Sequence, residues 1–350
     1  MAKRATLKDV ARLVGVTPTT VSYVINNKPG QTITPETRSR VLAAVAELHY
    51  VPNAHARTLR SQTSPCVGVV IRKNLAVPRF SQVVYGIQRR LAESDSNILL
   101  LDGTINPFNG LSDYVAAFLA RRVEGIVFIG EENEGPEAAS LSAIASESIP
   151  FVAYDCQIPS NDFSTIDLDY EGGARLLVEH VLGRGPARLL YVRPDIDTPQ
   201  ELLRERGVRV AAEAAGDVEL LVRRLPVTLE NLDTWDAHYS VGDTEEGLRL
   251  MEGVMGVVGE LLALVGPGDA IVSSWAGWTH YFRKAAGRVD FVTGELANNG
   301  ENRLAADLYT TLPNFEAGVA CADEVLSLAH GGVPCARTLK LSNVVEAPLG

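Results

Sequence analysis

The segment Thr17-Pro18-Thr19-Thr20-Val21-Ser22-Tyr23-Val24-Ile25-Asn26 sorts its side chains into two faces at helical spacing. Val21, Val24 and Ile25 fall on one face; Pro18, Thr19, Ser22, Tyr23 and Asn26 fall on the other. The second face is short, polar and uncharged. Hydroxyls and amides of that reach hydrogen-bond base edges in the major groove of duplex DNA, or the phosphates beside them. A second group with chemical potential is Leu59, which follows small Ala54 and Ala56 and is flanked by Arg57 and Arg60. An apolar side chain between two guanidinium groups has the composition of a minor-groove wedge.

These groups need elements to hold them. Thr6 is placed to cap a first helix, with Asp9 in its first turn, and Leu7, Val10, Ala11 and Val14 make one apolar stripe that Gly15 ends. Thr17 then caps a second helix with Pro18 at its first position, where a missing N–H costs little. Two short helices joined by a tight glycine-containing turn make a helix-turn-helix. After Asn27-Lys28-Pro29-Gly30, the Thr34-Pro35-Glu36 start repeats, and Val41, Ala44, Val45 and Leu48 line a third helix that closes the small core. Pro52 opens a segment of barely two turns, too short to stand alone.

Charge is distributed to match. Residues 1–62 carry Lys3, Arg4, Lys8, Arg12, Lys28, Arg38, Arg40, Arg57 and Arg60 against Asp9, Glu36 and Glu47, in a chain whose net charge is −11. A basic head on an acidic body binds phosphate at one end and keeps the rest off the DNA. The start of the chain has no apolar stretch after its basic residues, and no run reaches the length of a membrane span, so a cytoplasmic protein with no membrane association is expected. Cys66, Cys156, Cys321 and Cys335 lie far apart, and the six histidines lack ligand spacing, so neither a metal nor a cofactor is expected. No glycine-rich nucleotide loop or nucleophile elbow appears, which opposes an enzyme.

Beyond a polar linker, short apolar runs alternate with helical stretches. Val67–Ile71, Ile98–Leu101, Gly125–Ile129 and Phe151–Tyr154 read as buried parallel strands, with helices near 81–94, 111–122 and 137–147 between them. The pattern restarts with strands at Arg188–Val192, Val218–Val222 and Ala270–Ser274 and helices at 200–215 and 244–264. Two doubly wound units imply a cleft between their strand ends, where open α/β sheets take ligands. A further strand is read at Leu339–Val345.

The head resembles the LacI–GalR family of bacterial repressors. The resemblance lies in Thr6-Leu7-Lys8-Asp9-Val10-Ala11, Gly15-Val16-Thr17, Thr20–Asn26, Val51-Pro52-Asn53-Ala54 and Ala56–Leu59. It implies an all-α helix-turn-helix head (1–51), a hinge helix and linker (52–65) and an α/β two-lobed, periplasmic-binding-protein-like body of doubly wound parallel sheets (66–350). The first lobe is expected at about 66–168 and 298–330, the second at about 169–297 and 331–350. It also implies that Pro18, Thr19 and Tyr23 read bases, that Leu59 wedges the central operator step and that Arg60 reaches the minor groove. Thr6, Thr17, Thr20, Ser22, Asn26, Asn53 and Ala56 complete the expected DNA contacts. Pro18 is a departure, because its contact can only be apolar. The partners implied are double-stranded operator DNA of near-palindromic sequence, a second copy in a homodimer and a sugar-like effector.

In the body, the resemblance makes Arg204, in an Arg-x-x-Gly with Gly207, an effector contact, together with Trp275 and Phe80; the alternatives are a surface ion pair of Arg204 with neighbouring Glu201 or Glu205 and plain cleft packing for Trp275. Here too the chain departs from the family. Trp275-Ala276 stands where Asn-Asp is usual, and Thr293-Gly294-Glu295-Leu296 replaces the usual Gly-Tyr/Phe-Asp-Asp after the next strand. A tryptophan can stack on a sugar or fill a cleft, but it does not replace a bidentate carboxylate.

Overall fold

The computed structural model describes residues 5–25, 32–48, 66–130, 135–240, 242–287, 290–298 and 306–347. The chain divides into two compact units, Met1–Ser64 and Pro65–Gly350.

In the first unit, α1 (Leu7–Val14), α2 (Pro18–Ile25) and α3 (Pro35–Glu47) surround one small core. Thr6 and Asp9 form a reciprocal cap: the Asp9 N–H donates to Thr6 Oγ1 at 3.3 Å and the Thr6 N–H to Asp9 Oδ2 at 2.9 Å. Gly15 ends α1 at φ 76°, where a side chain would be strained, and its N–H returns to the Ala11 carbonyl. Val10, Ala11, Val14, Val21, Val24, Val41 and Ala44 are buried together. Arg40 on α3 donates to the Val14 carbonyl at 2.5 Å, which satisfies an open acceptor at the end of α1.

The second unit contains two six-stranded sheets. The first runs β11-β5-β4-β3-β1-β2, entirely parallel, from β1 (Cys66–Val70), β2 (Asn97–Leu101), β3 (Gly125–Ile129), β4 (Phe151–Tyr154), β5 (Ser164–Leu168) and β11 (Ala336–Leu339). Helices α4 (Pro78–Ala92), α5 (Asp113–Leu119) and α6 (Ala138–Ser146) connect its strands. Along β3 and β4, Val127, Ile129, Val152 and Tyr154 enter one apolar layer while Ile126, Phe128, Phe151 and Ala153 enter the opposite one. Burial on both faces explains why these strands are continuous apolar runs.

The chain then crosses to α7 (Tyr170–Leu182), β6 (Arg188–Pro194), α8 (Pro199–Ala215), β7 (Glu219–Leu225), α9 (Leu232–Ser240), α10 (Glu245–Leu262), β8 (Ala270–Ser273), α11 (Trp278–Ala286), β9 (Val292–Asn298) and β10 (Leu308–Thr311). The second sheet runs β12-β10-β9-β8-β6-β7, parallel except for β12 (Val345–Glu346), which is antiparallel to β10. Helix α12 (Asn314–Ala329) returns to pack on α4, with its Ala317, Cys321 and Val325 in the first lobe's core.

Four details differ from the sequence reading. Residues 308–311 belong to the second sheet, because Leu308 and Tyr309 pair with Gly294 and Glu295. Residues 336–339 extend the first sheet in register with Thr165–Leu168, so the lobe boundaries drawn at 298 and 331 shift. The strand read at 339–345 is therefore split, and 340–344 form a crossing in which Ser342 exchanges hydrogen bonds with Thr311 at the end of β10. Thr293–Leu296 lies inside β9 and is not a loop after a strand.

Candidate nucleic-acid interface and effector cleft

On the head, Thr17 caps α2: its Oγ1 accepts the Thr20 N–H at 3.1 Å and lies 2.9 Å from the Thr20 hydroxyl. The cap fixes the first turn of α2. Pro18 and Thr19 there are exposed, while Thr20, Ser22 and Tyr23 are half-buried. The apolar side of the same helix is held by Val21 and Val24, which fixes the direction in which the polar side faces. Thr6, another expected contact, is exposed but has its hydroxyl engaged with Asp9 at 2.6 Å. Asn26, Asn53, Ala56, Leu59 and Arg60, with the expected hinge helix, lie outside the described residues.

In the body, the strand orders reverse between β1 and β3 and between β6 and β8, and open sheets bind ligands at such points. The second lobe's switch point holds a buried polar cluster. Thr198 caps α8 by accepting the Glu201 N–H at 3.3 Å, with Pro199 in the first turn. This brings Gln200, Glu201 and Arg204 onto one end of α8, beside the segment leaving β8. Glu201, only 2% exposed, is the hub. Its Oε1 accepts from Trp275 Nε1 at 2.8 Å and from Arg204, and its Oε2 accepts from the Ser274 hydroxyl. Arg204 is buried and stacks on the Tyr170 ring, 4.3 Å from its centroid. Burial, the largest influence, would lower the guanidinium pKa; the Glu201 carboxylate, with Tyr170 and Tyr191 adding to it, turns the net shift upward, so Arg204 stays charged. The Trp275 ring rests against Trp278 at 5.3 Å.

The facing wall comes from the first lobe. Asp155, fully buried and at φ 56°, accepts from Arg79 and from the Tyr170 hydroxyl at 2.8 Å, and its carbonyl accepts Gln200 Nε2 at 2.7 Å. Burial holds the Asp155 carboxyl above its ordinary pKa against the opposing pull of Arg79. Arg79, Ile196, Thr198, Gln200, Glu201, Arg204 and Trp275 enclose a cavity of about 40 Å³. Asp155 Oδ1, Gln200 Oε1 and Arg204 Nε are buried at this place without a hydrogen-bond partner.

The structure thus brings two of the three expected effector residues, Arg204 and Trp275, to one cavity. It does not bring Phe80, which is 4% exposed and packs in the first lobe's core; its neighbour Arg79 lines the cavity instead. The sequence reading missed Asp155, the role of Glu201 as hub and Glu295, which is fully buried and accepts from the Gly277 N–H at 2.8 Å and the Thr279 hydroxyl at 2.6 Å.

Asp167 gives a pH test of this region. Burial, with a smaller contribution from the Asp155 charge, pushes its carboxyl up to about 6, although the Gln157 N–H donating to it at 2.9 Å pulls downward. A raised folded-state pKa means the folded protein holds the proton more tightly than the unfolded chain. Stability is therefore lost as pH rises from the ordinary 3.8 through about 6. Asp167→Asn keeps an acceptor and removes the charge. It should melt higher than the wild type at neutral pH and like it below about pH 3, where the carboxyl is largely protonated in both the folded and the unfolded state. Equal melting at both pH values would show that Asp167 is not desolvated in solution.

Among the described residues, no helix is long and apolar enough to cross a membrane, and no group of three or more His, Cys, Asp or Glu is placed to hold a metal ion.

The chain matches the model for bacterial regulatory proteins of the lacI family over residues 6–53 and that for periplasmic binding proteins and the sugar-binding domain of the LacI family over residues 64–190. It is 29% identical over 213 residues to the HTH-type transcriptional regulator DegA of Bacillus subtilis (strain 168), covering 61% of this chain and 62% of that protein. It is 28% identical over 212 residues to the ribose operon repressor of Escherichia coli (strain K12), again 61% and 62%. The similarity therefore spans 62% of the length of these relatives, less than two thirds. A crystal structure of the Lac repressor dimer bound to operator and the anti-inducer ONPF shares the fold, with a TM-score of 0.72 and 21% identity over 99% of this chain and 100% of that one. Since the two models fall on the capped three-helix head and on the first lobe of the body with the start of the second, the chain belongs to the LacI family of bacterial transcription regulators.

Proposed function

We propose that this protein is a DNA-binding repressor that reads a near-palindromic operator as a dimer and responds to a small molecule through its two-lobed body. The observation that carries the reading is α2, whose apolar side is fixed in the head core while its capped first turn exposes Pro18 and Thr19. Thr19 and Tyr23 hydrogen-bond base edges, and Pro18 contacts a thymine methyl. Lys8, Arg12, Arg38 and Arg40 supply the surrounding positive charge. Leu59 and Arg60, outside the described residues, form the minor-groove pair. A head reading each half-site makes a two-fold dimer the natural assembly. The names of its relatives, such as the ribose operon repressor, suggest an effector of sugar-derived chemistry at the cleft, and the arginines there suit one that carries an acid group.

Selection of bound duplexes from random-sequence DNA tests this reading: an inverted-repeat sequence should emerge. Its affinity should fall steeply with added salt, because phosphate contacts release counterions. Tyr23→Ala should change the base preferred at one position of each half-site, at a cost of about 1–3 kcal/mol. A uniform loss across all sequences would mark Tyr23 as a phosphate contact. An enrichment without any sequence would refute the operator reading.

A further inference from the structure

The cleft cluster has the form of a site already filled. A guanidinium, an indole N–H and a hydroxyl from two separate chain segments converge on one carboxylate, which is how a protein holds a bound organic acid. Here the carboxylate belongs to Glu201. We propose that Glu201 is a ligand built into the chain: it occupies the donors of the effector position, holds the cleft in a filled arrangement and closes it to neutral sugars.

Three observations converge on this. The first is space. The cavity of about 40 Å³ has room for water, whereas small-molecule pockets run to about 300–1,000 Å³. The second is charge. Arg204, 3% exposed, has Glu201 as its ion-pair partner, and a neutral molecule inserted between them would leave two buried charges without a counter-ion. The third is connection. Gln200, adjacent to Glu201 on the same turn of α8, donates to the Asp155 carbonyl of the first lobe, and the Tyr170 ring under Arg204 carries the hydroxyl that reaches the Asp155 carboxylate. The turn that supplies the internal ligand also ties the lobes together, so the arrangement needs no added molecule. The inference rests on the regulator reading only where operator binding is the readout.

The full-length protein is melted with and without ribose, glucose and galactose at millimolar concentration, and its affinity for the selected operator is measured in parallel. Neither quantity should change. Glu201→Ala leaves Arg204 unpaired beside a space of acetate size, and should melt lower by roughly 10 °C. Sodium acetate should restore the melting temperature saturably and sodium chloride of equal ionic strength should not; operator affinity should follow. Glu201→Gln, which fills the space, should not respond to acetate. The proposal is overturned if a neutral sugar shifts the wild type's melting or operator affinity, if Glu201→Ala melts like the wild type, or if acetate does no more than chloride. Should Glu201→Ala fail to fold, the sugar titrations of the wild type still decide. A wild type that binds no operator under any condition would strike the regulator reading, and the melting experiments would continue to decide this one.

Discussion

Replacing Val21 with aspartate should unfold the head and abolish operator binding while leaving the melting of the body unchanged. Val21 is fully buried among Val10, Val14, Val24 and Val41 in a small core that has seven buried side chains among the described residues. A domain of about 50 residues is stable by roughly 3–7 kcal/mol. The substitution loses about 2 kcal/mol of apolar burial and adds several more for desolvating a carboxyl group with no partner. The sum meets or exceeds what the head has. Because the head and body are separate compact units, the body's transition should not move. Circular dichroism of the isolated variant, calorimetry and a gel-shift assay on the selected operator check all parts of this outcome. Retained operator binding would mean that Val21 is not in the head's core.

Gly318→Val should cost the body more than any surface substitution. Helices α4 and α12 cross backbone against backbone at Gly86 and Gly318. A Cβ at Gly318 would sit 2.1 Å from the Val83 carbonyl oxygen and 3.0 Å from the Gly86 Cα, and one at Gly86 would sit 2.2 Å from the Phe315 carbonyl oxygen. These neighbours are main-chain atoms and cannot rotate away. Making room means parting the helices that place Val83, Ile87, Ala317 and Cys321 in the first lobe's core. Overpacking typically costs about 1–3 kcal/mol, and a forced helix separation lies above that range. The melting temperature should fall by roughly 10 °C or more, with Gly318→Ala in between. Gly253→Ala on α10 is the control: no atom lies within 4 Å of its added Cβ, so it should melt at or slightly above the wild type. Equal behaviour of the two sites would rule out the close crossing.

The contrast between those positions shows what a sequence carries. Glycines 253 and 318 are the same residue in helices, and only the neighbouring helix distinguishes them. The head was legible because its signals are local: Thr6 with Asp9, Gly15, Thr17 with Pro18 and the valine stripe all act within a few residues of one another. Strands β1, β3 and β4 were legible because burial on both faces makes them unbroken apolar runs; β2, at the sheet edge, is an apolar run although Leu100 is exposed. Strand β9 was not, since Gly294 and Glu295 interrupt it, and the Gly277 N–H and Thr279 hydroxyl that donate to the buried Glu295 come from another segment. Strand β11 is a short edge strand with largely exposed side chains, so hydropathy does not mark it. In the cleft, Arg204 and Trp275 could be placed by resemblance. The pairing of Arg204 with Glu201 is local and could be read as an alternative, although as a surface pair and not a buried one; that Ser274 and Trp275 share the same carboxylate could not, because they meet it across more than 70 residues, as Arg79 meets Asp155 across 76. Phe80 stands one position along α4 from Arg79, enough to turn a side chain from the cavity into the core.

The most direct test of the account is a nuclease footprint of the intact protein on DNA from its own genome at moderate ionic strength. The account predicts protected sites containing two inverted half-sites about one helical turn apart, lost together with Val21→Asp. The absence of any protected site in the wild-type protein, with or without added metabolites, would contradict it.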